Sequence, residues 1–222
     1  MAVDWHRNAV QRITLGVGIS LILRLVVGIN DAVMFSSLRS PGVKPIEVLG
    51  VHGDIRLVGF VGGILAALLI ATGFTRFAAV DRAVRAPALL TALAFLAAAA
   101  IATTLILFFQ SMGAGEIGSL KATVRWWSLS AVTIGALGWI AAISATTAAA
   151  RVAKVDLLGM QRVAVVLALA AWALPASRHV FRYDLPMTPT VWGLLVMLVS
   201  SASMAMVLVL VRRYGRDYRP AS

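Results

Sequence analysis

Six long apolar runs, broken by few charges, leave this chain little choice of fold. A helix needs about 20 apolar residues to cross a hydrocarbon core of about 30 Å. Runs that meet or approach that length extend over Ile13–Phe35, Leu57–Phe74, Ala86–Phe109, Trp126–Ala150, Leu157–Ser177 and Val191–Val211. Inside lipid every backbone polar group must be satisfied within the protein, which favours helices. The expected fold is therefore all-α: a polytopic transmembrane helix bundle of six spans, forming a single integral membrane domain over residues 1–222. Only 13% of the residues are charged and the mean hydropathy is +0.91, against about 25% charged in soluble domains. Residues 36–56, which contain Pro41, Gly42, Pro45 and Gly53, read as an outer loop.

The fifth run is the shortest in practice. Its uninterrupted part is Val163–Leu174, so Arg162 has to reach back to the interface along its own aliphatic stem. Ile13–Leu23, preceded by Arg7 and Arg12, has the length of a signal-peptide core. The run resumes after Arg24 without a small-residue cleavage site, so it reads as a retained helix. Pro87 and Pro175 are expected at helix ends.

Basic residues mark the sides. With the amino terminus inside, the inner regions hold Arg7, Arg12, Arg76, Arg82, Arg85, Arg151, Lys154, Arg162, Arg212, Arg213, Arg216 and Arg219. The outer ones hold Arg39, Lys44, Arg56, Lys121, Arg125, Arg178 and Arg182. Twelve against seven, with Arg24 apart, places both termini in the cytoplasm. The net charge of +11 then follows from topology and contact with anionic lipid headgroups. The expected partners are the bilayer itself and those headgroups, with a second copy or another membrane protein as a further option; nucleic acid is not expected. The pattern suits a multi-pass protein of the cell membrane, of bacterial inner-membrane type.

Aromatic residues fall at the proposed boundaries: Trp126, Trp127, Tyr183 and Trp192 outside, and Phe74, Phe77, Tyr214 and Tyr218 inside, where they read as an anchoring belt. Gly59, Gly63 and Ala67 recur four apart, a spacing that lets two helix backbones approach closely. "GFVGG" at Gly59–Gly63 reads as lipid-facing helix rather than a phosphate loop. "RFAAVD" at Arg76–Asp81 resembles "RVAKVD" at Arg151–Asp156, each just after an even-numbered span, a faint sign of repeated hairpins.

Two charges lie within the first run. Arg24 and Asp31 are about 10.5 Å apart along a helix axis, and no placement of the span brings both to the surface. A charge at the bilayer centre costs on the order of 2.5–3.5 kcal/mol, so it calls for a partner or a wet cavity. Helical side chains lean toward the amino terminus, which carries Arg24 away from Asp31 and makes a direct pair awkward. Arg24 is therefore expected to snorkel toward the cytoplasmic interface or to meet carbonyls, water or a bound anion. Further polar groups gather on the outer side: His52, Asp54 and Arg56 in "GVHGDIR", Arg125 in "ATVRWW", and Arg178, His179, Arg182 and Asp184 in "SRHVFRYDLP". Were they to converge, guanidinium forks beside aromatics would suit a phosphate or carboxylate.

Much chemistry is absent. The chain has no cysteine, and its three histidines, His6, His52 and His179, lie outside the apolar runs, so thiolate metal sites and a bis-histidine haem are not expected. A divalent metal or a His–Asp base at the outer cluster is a minor alternative to solvated loop charges, and no cofactor or metal is assigned. No HExxH, GxSxG, P-loop or dinucleotide fingerprint occurs. Two readings follow. The first is binding or permeation of a small or lipid-linked anionic solute, drawing on Arg24 and the outer arginines. The second is a non-catalytic structural or assembly subunit of a larger membrane complex, with the Gly59–Gly63 face turned to a partner. An outer-face membrane enzyme comes third; no catalytic residue is assigned.

Overall fold

The computed structural model describes residues 2–37, 45–79, 81–111, 121–181 and 189–218. These form six helices and no strand: α1 (Ala2–Ser37), α2 (Pro45–Phe77), α3 (Arg82–Ser111), α4 (Lys121–Val152), α5 (Leu158–Phe181) and α6 (Pro189–Asp217). Each contains a stretch long and apolar enough to cross a membrane, from 19 residues in α5 to 30 in α1. The expected six-helix transmembrane architecture therefore holds.

The helices run beyond the apolar runs. Of the loop expected over 36–56, the last part is helical, because α2 begins at Pro45. Proline suits a first helical turn, where its missing N–H would have had no partner and its φ is already helical. The prolines expected at helix ends are instead inside: Pro87 within α3 and Pro175 within α5. Pro87 lies in the second turn of α3, where a lost N–H affects few preceding residues, and its carbonyl accepts a bond from the Thr91 hydroxyl at 2.8 Å.

Consecutive helices pack on one another, α6 returns to α1, and α4 also touches α6. The α1–α2 register is antiparallel and close along its length. Ile13 lies against Gly73, Leu23 against Gly62 and Val27 against Gly59, so one number falls as the other rises. The α1–α6 seam repeats this, with Val10 at Gly215 and Met197 at Gly28. Glycine on one side of each contact is what permits it.

A continuous core fills one end of the bundle. It takes in Ile13 and Val17 of α1, Ile70 and Phe74 of α2, Val84 and Phe95 of α3, Ile143 of α4, Leu157 before α5, and Val207 and Tyr214 of α6. Phe74, Phe77 and Tyr214 are almost wholly buried there, which corrects the inner aromatic belt. Their depth along the helices suits an interface, but their faces point to the core. His6 joins them, stacked on Tyr218 at 3.8 Å between ring centroids and edge-on to Tyr214 at 5.1 Å. The start of α1 and the end of α6 therefore meet at the same end of the bundle.

The two related hexapeptides each span a helix end, by different devices. α2 ends at Phe77 and α4 at Val152, the second residue of each motif. Asp81 caps α3, its Oδ1 accepting from the Ala83 N–H at 2.7 Å. After α4 the Val155 N–H reaches the Ala150 carbonyl at 2.7 Å and the Lys154 N–H reaches that of Arg151 at 3.1 Å. That is a Schellman stop with Lys154 in the left-handed region at φ 57°. A left-handed non-glycine residue costs about 1 kcal/mol, so Lys154→Gly is expected to raise stability by about that amount, read as a higher melting temperature in detergent.

Candidate functional site

The core stops at the same level on three helices, and a cavity begins one turn further on. The last core residues are Val17 on α1, Ala67 on α2 and Val207 on α6. The cavity wall takes over at Ser20, Gly63 and Met204. On α1 the inward stripe that carries Ile13 and Val17 continues through Ser20, Arg24, Val27 and Asp31, at alternating steps of three and four. On α2 the stripe of Phe74, Ile70 and Ala67 continues through Gly63, Gly59 and Arg56. Leu23 and Phe60 complete the wall around a volume of about 440 Å³. Large apolar residues close one end; small and charged ones open the other.

Three predicted site residues meet in this cavity: Arg24, Asp31 and Arg56. Asp31 does not form its ion pair with Arg24. Its carboxylate accepts from the Arg56 Nε at 2.7 Å, linking α1 to α2. The two side chains keep 31% and 40% of their surface exposed, so the pair contributes under about 1 kcal/mol. Asp31→Asn is accordingly expected to lower stability by less than about 1 kcal/mol in thermal unfolding, which leaves the variant usable for binding measurements.

Arg24 is the unusual member. Its Nε is shut off from solvent and has no hydrogen-bond acceptor. A buried donor left unmade costs about 1–3 kcal/mol, more when it is charged. Asp31 is near enough to act on Arg24 electrostatically, yet its carboxylate accepts its hydrogen bond from Arg56. Arg24 thus lines the cavity with the hydrogen bond of its buried Nε unmade.

The "GFVGG" segment is only partly the outward surface expected of it. Phe60 and Val61 are exposed, but Gly62 packs on Leu23, and Gly59, Phe60 and Gly63 border the cavity. Of the Gly59–Gly63–Ala67 ridge, Gly59 meets Val27, Gly63 has open space where a Cβ would be, and Ala67 is buried in the core.

Among the remaining predicted residues, Asp54 lies in the third turn of α2, exposed and not part of the cavity wall. The side chains of His52, Arg125, Arg178 and His179 lie outside the described set, as do Arg182 and Asp184 altogether. No group of three or more His, Cys, Asp or Glu able to hold a metal occurs among the described residues. Charge alone does not single out Ser20, Gly59 and Gly63 as cavity residues. A signal was present in the sequence, since all three sit in register with Arg24 or Arg56 on the inward stripes.

No protein-family model, curated protein or solved structure matches this chain. The six apolar helices fit a multi-pass membrane protein in contact with the lipid bilayer, and the chemistry of its cavity has to be read from the residues themselves.

Proposed function

We propose that this protein is a multi-pass protein of the cell membrane that binds a small anionic solute in the cavity at Arg24. The observation that carries this reading is Arg24, whose side chain lines the cavity while its buried Nε has no acceptor and the nearby carboxylate is held by Arg56. A bound anion would meet the guanidinium from the cavity side, and a guanidinium engages carboxylate or phosphate through two parallel bonds.

Access would come from one face only. A buried core lies beneath the cavity, toward the end where α1 starts and α6 finishes, and the excess of basic residues on that side would put it in the cytoplasm. The cavity would then face outward, as a binding site with a closed floor rather than an open channel. The assembly-subunit reading needs Gly59 and Gly63 on a free outer face. Gly59 is engaged with Val27, and Gly63 borders the cavity, so this reading has no comparable support.

The test is calorimetric titration of the protein in lipid nanodiscs with benzoate and inorganic phosphate, wild type beside Arg24→Gln. Saturable binding that weakens roughly tenfold or more in the variant is expected, with unchanged yield and monodispersity. Binding that Arg24→Gln leaves intact would overturn the proposal.

A further inference from the structure

We infer that the occupant of the cavity is an organic monoanion: one carboxylate on a compact apolar body. This rests on the proposed anion site at Arg24 and names the class of anion.

Charge balance limits the ligand to a single negative charge. The cavity wall carries two guanidinium groups, Arg24 and Arg56, and one carboxylate, Asp31. The 2.7 Å bond between Asp31 and Arg56 neutralises one pair, which leaves one positive charge, on Arg24. One carboxylate completes the balance. A second would lie against Leu23, Val27, Phe60 and Met204, with Arg56 already taken by Asp31 and part of its own hydration lost.

The walls set the rest of the molecule. Those four side chains are apolar, and Gly63 leaves open space where a side chain would be, whereas Gly59 is filled by Val27. A bare hydrated anion would cover none of that surface, whereas burial of apolar area is what rewards an organic one. The volume of about 440 Å³ lies toward the lower end of the roughly 300–1,000 Å³ typical of small-molecule sites. That accommodates one compact acid and is small for a two-chain phospholipid. Asp31 then acts as a charge regulator. By occupying Arg56 it holds the site at one uncompensated charge and so selects against dianions.

The probes are cyclohexanecarboxylate, cyclohexane-1,4-dicarboxylate, cyclohexanol and inorganic phosphate, titrated into wild-type protein in nanodiscs with empty nanodiscs subtracted. The monocarboxylate is expected to bind roughly tenfold or more tightly than either the dicarboxylate or the alcohol. Asp31→Asn frees Arg56 and raises the uncompensated charge to two, so the dicarboxylate is expected to gain roughly tenfold relative to the monocarboxylate. Equal binding of the dicarboxylate or the alcohol by the wild type would overturn the inference, as would an unchanged ratio in Asp31→Asn. The wild-type series decides even if that variant fails to fold. Phosphate and dicarboxylate binding as well as the monocarboxylate, all lost in Arg24→Gln, would leave the anion site standing and remove the monoanion assignment. No binding of any acid, or binding indifferent to Arg24, would remove both.

Discussion

Arg24→Leu is expected to make the ligand-free protein more stable and, in the same step, unable to respond to an anion. The first half follows from the missing partner. An uncompensated charge deep in a span costs on the order of 2.5–3.5 kcal/mol. Arg24 recovers part of this through the cavity it faces and through the influence of Asp31. A net gain of about 2 kcal/mol on its removal is therefore expected. The sign is diagnostic. Had Arg24 been one half of a buried ion pair, its loss would strand a carboxylate and destabilise by about 3–5 kcal/mol. Asp31, however, already has Arg56. The second half follows from linkage: a ligand at a hundred times its dissociation constant stabilises the folded state by about 2.7 kcal/mol. Thermal unfolding in nanodiscs, with and without cyclohexanecarboxylate, should show that increment in the wild type and none in Arg24→Leu.

Two glycine-to-alanine changes should part company in the same assay. A Cβ at Gly16 would lie 2.7 Å from Ile70 Cγ1 and 2.9 Å from the Ala66 carbonyl oxygen. The second of these is backbone, so relief requires α2 to move away from α1 along a close seam of the bundle. Gly16→Ala is expected to cost about 1–3 kcal/mol, in the range of overpacked cores. At Gly63 nothing lies within 4 Å of a new Cβ, and Gly63→Ala should stay within about 0.5 kcal/mol. Its effect should appear in ligand affinity instead, since the added methyl group projects into the cavity. Similar losses of stability at both positions would mean that the α1–α2 register is wrong.

Position along a helix was easier to read from sequence than rotation about it. The six spans were legible because bilayer thickness fixes a length, and length survives any rotation. The charges Arg24, Asp31 and Arg56 were legible one at a time for the same reason: each stands out against apolar neighbours. Their arrangement was not. Whether Asp31 meets Arg24 or Arg56 depends on the α1–α2 register, which is set by Gly59, Gly62 and Gly73 seating Val27, Leu23 and Ile13. Phe74, Phe77 and Tyr214 show the same limit. Their depth matched an interfacial belt, but rotation turned them into the core. The prolines inside α3 and α5 show another: in lipid, helix continuity is favoured strongly enough to override a local breaker. The inward stripe on α1 could have been traced from Ile13 to Asp31 by period alone, and it marks where apolar core gives way to polar wall.

Whether the space beside Arg24 is wet and open to one side can be measured directly. The chain contains no cysteine, so Ser20→Cys, at the floor of the cavity, gives a single reporter without further engineering. In sealed vesicles a membrane-impermeant thiol reagent should modify it from the face opposite the two tails, and cyclohexanecarboxylate should slow that reaction. A thiol that reacts from neither face, or only from the side of the tails, would contradict an outward-facing anion site at Arg24.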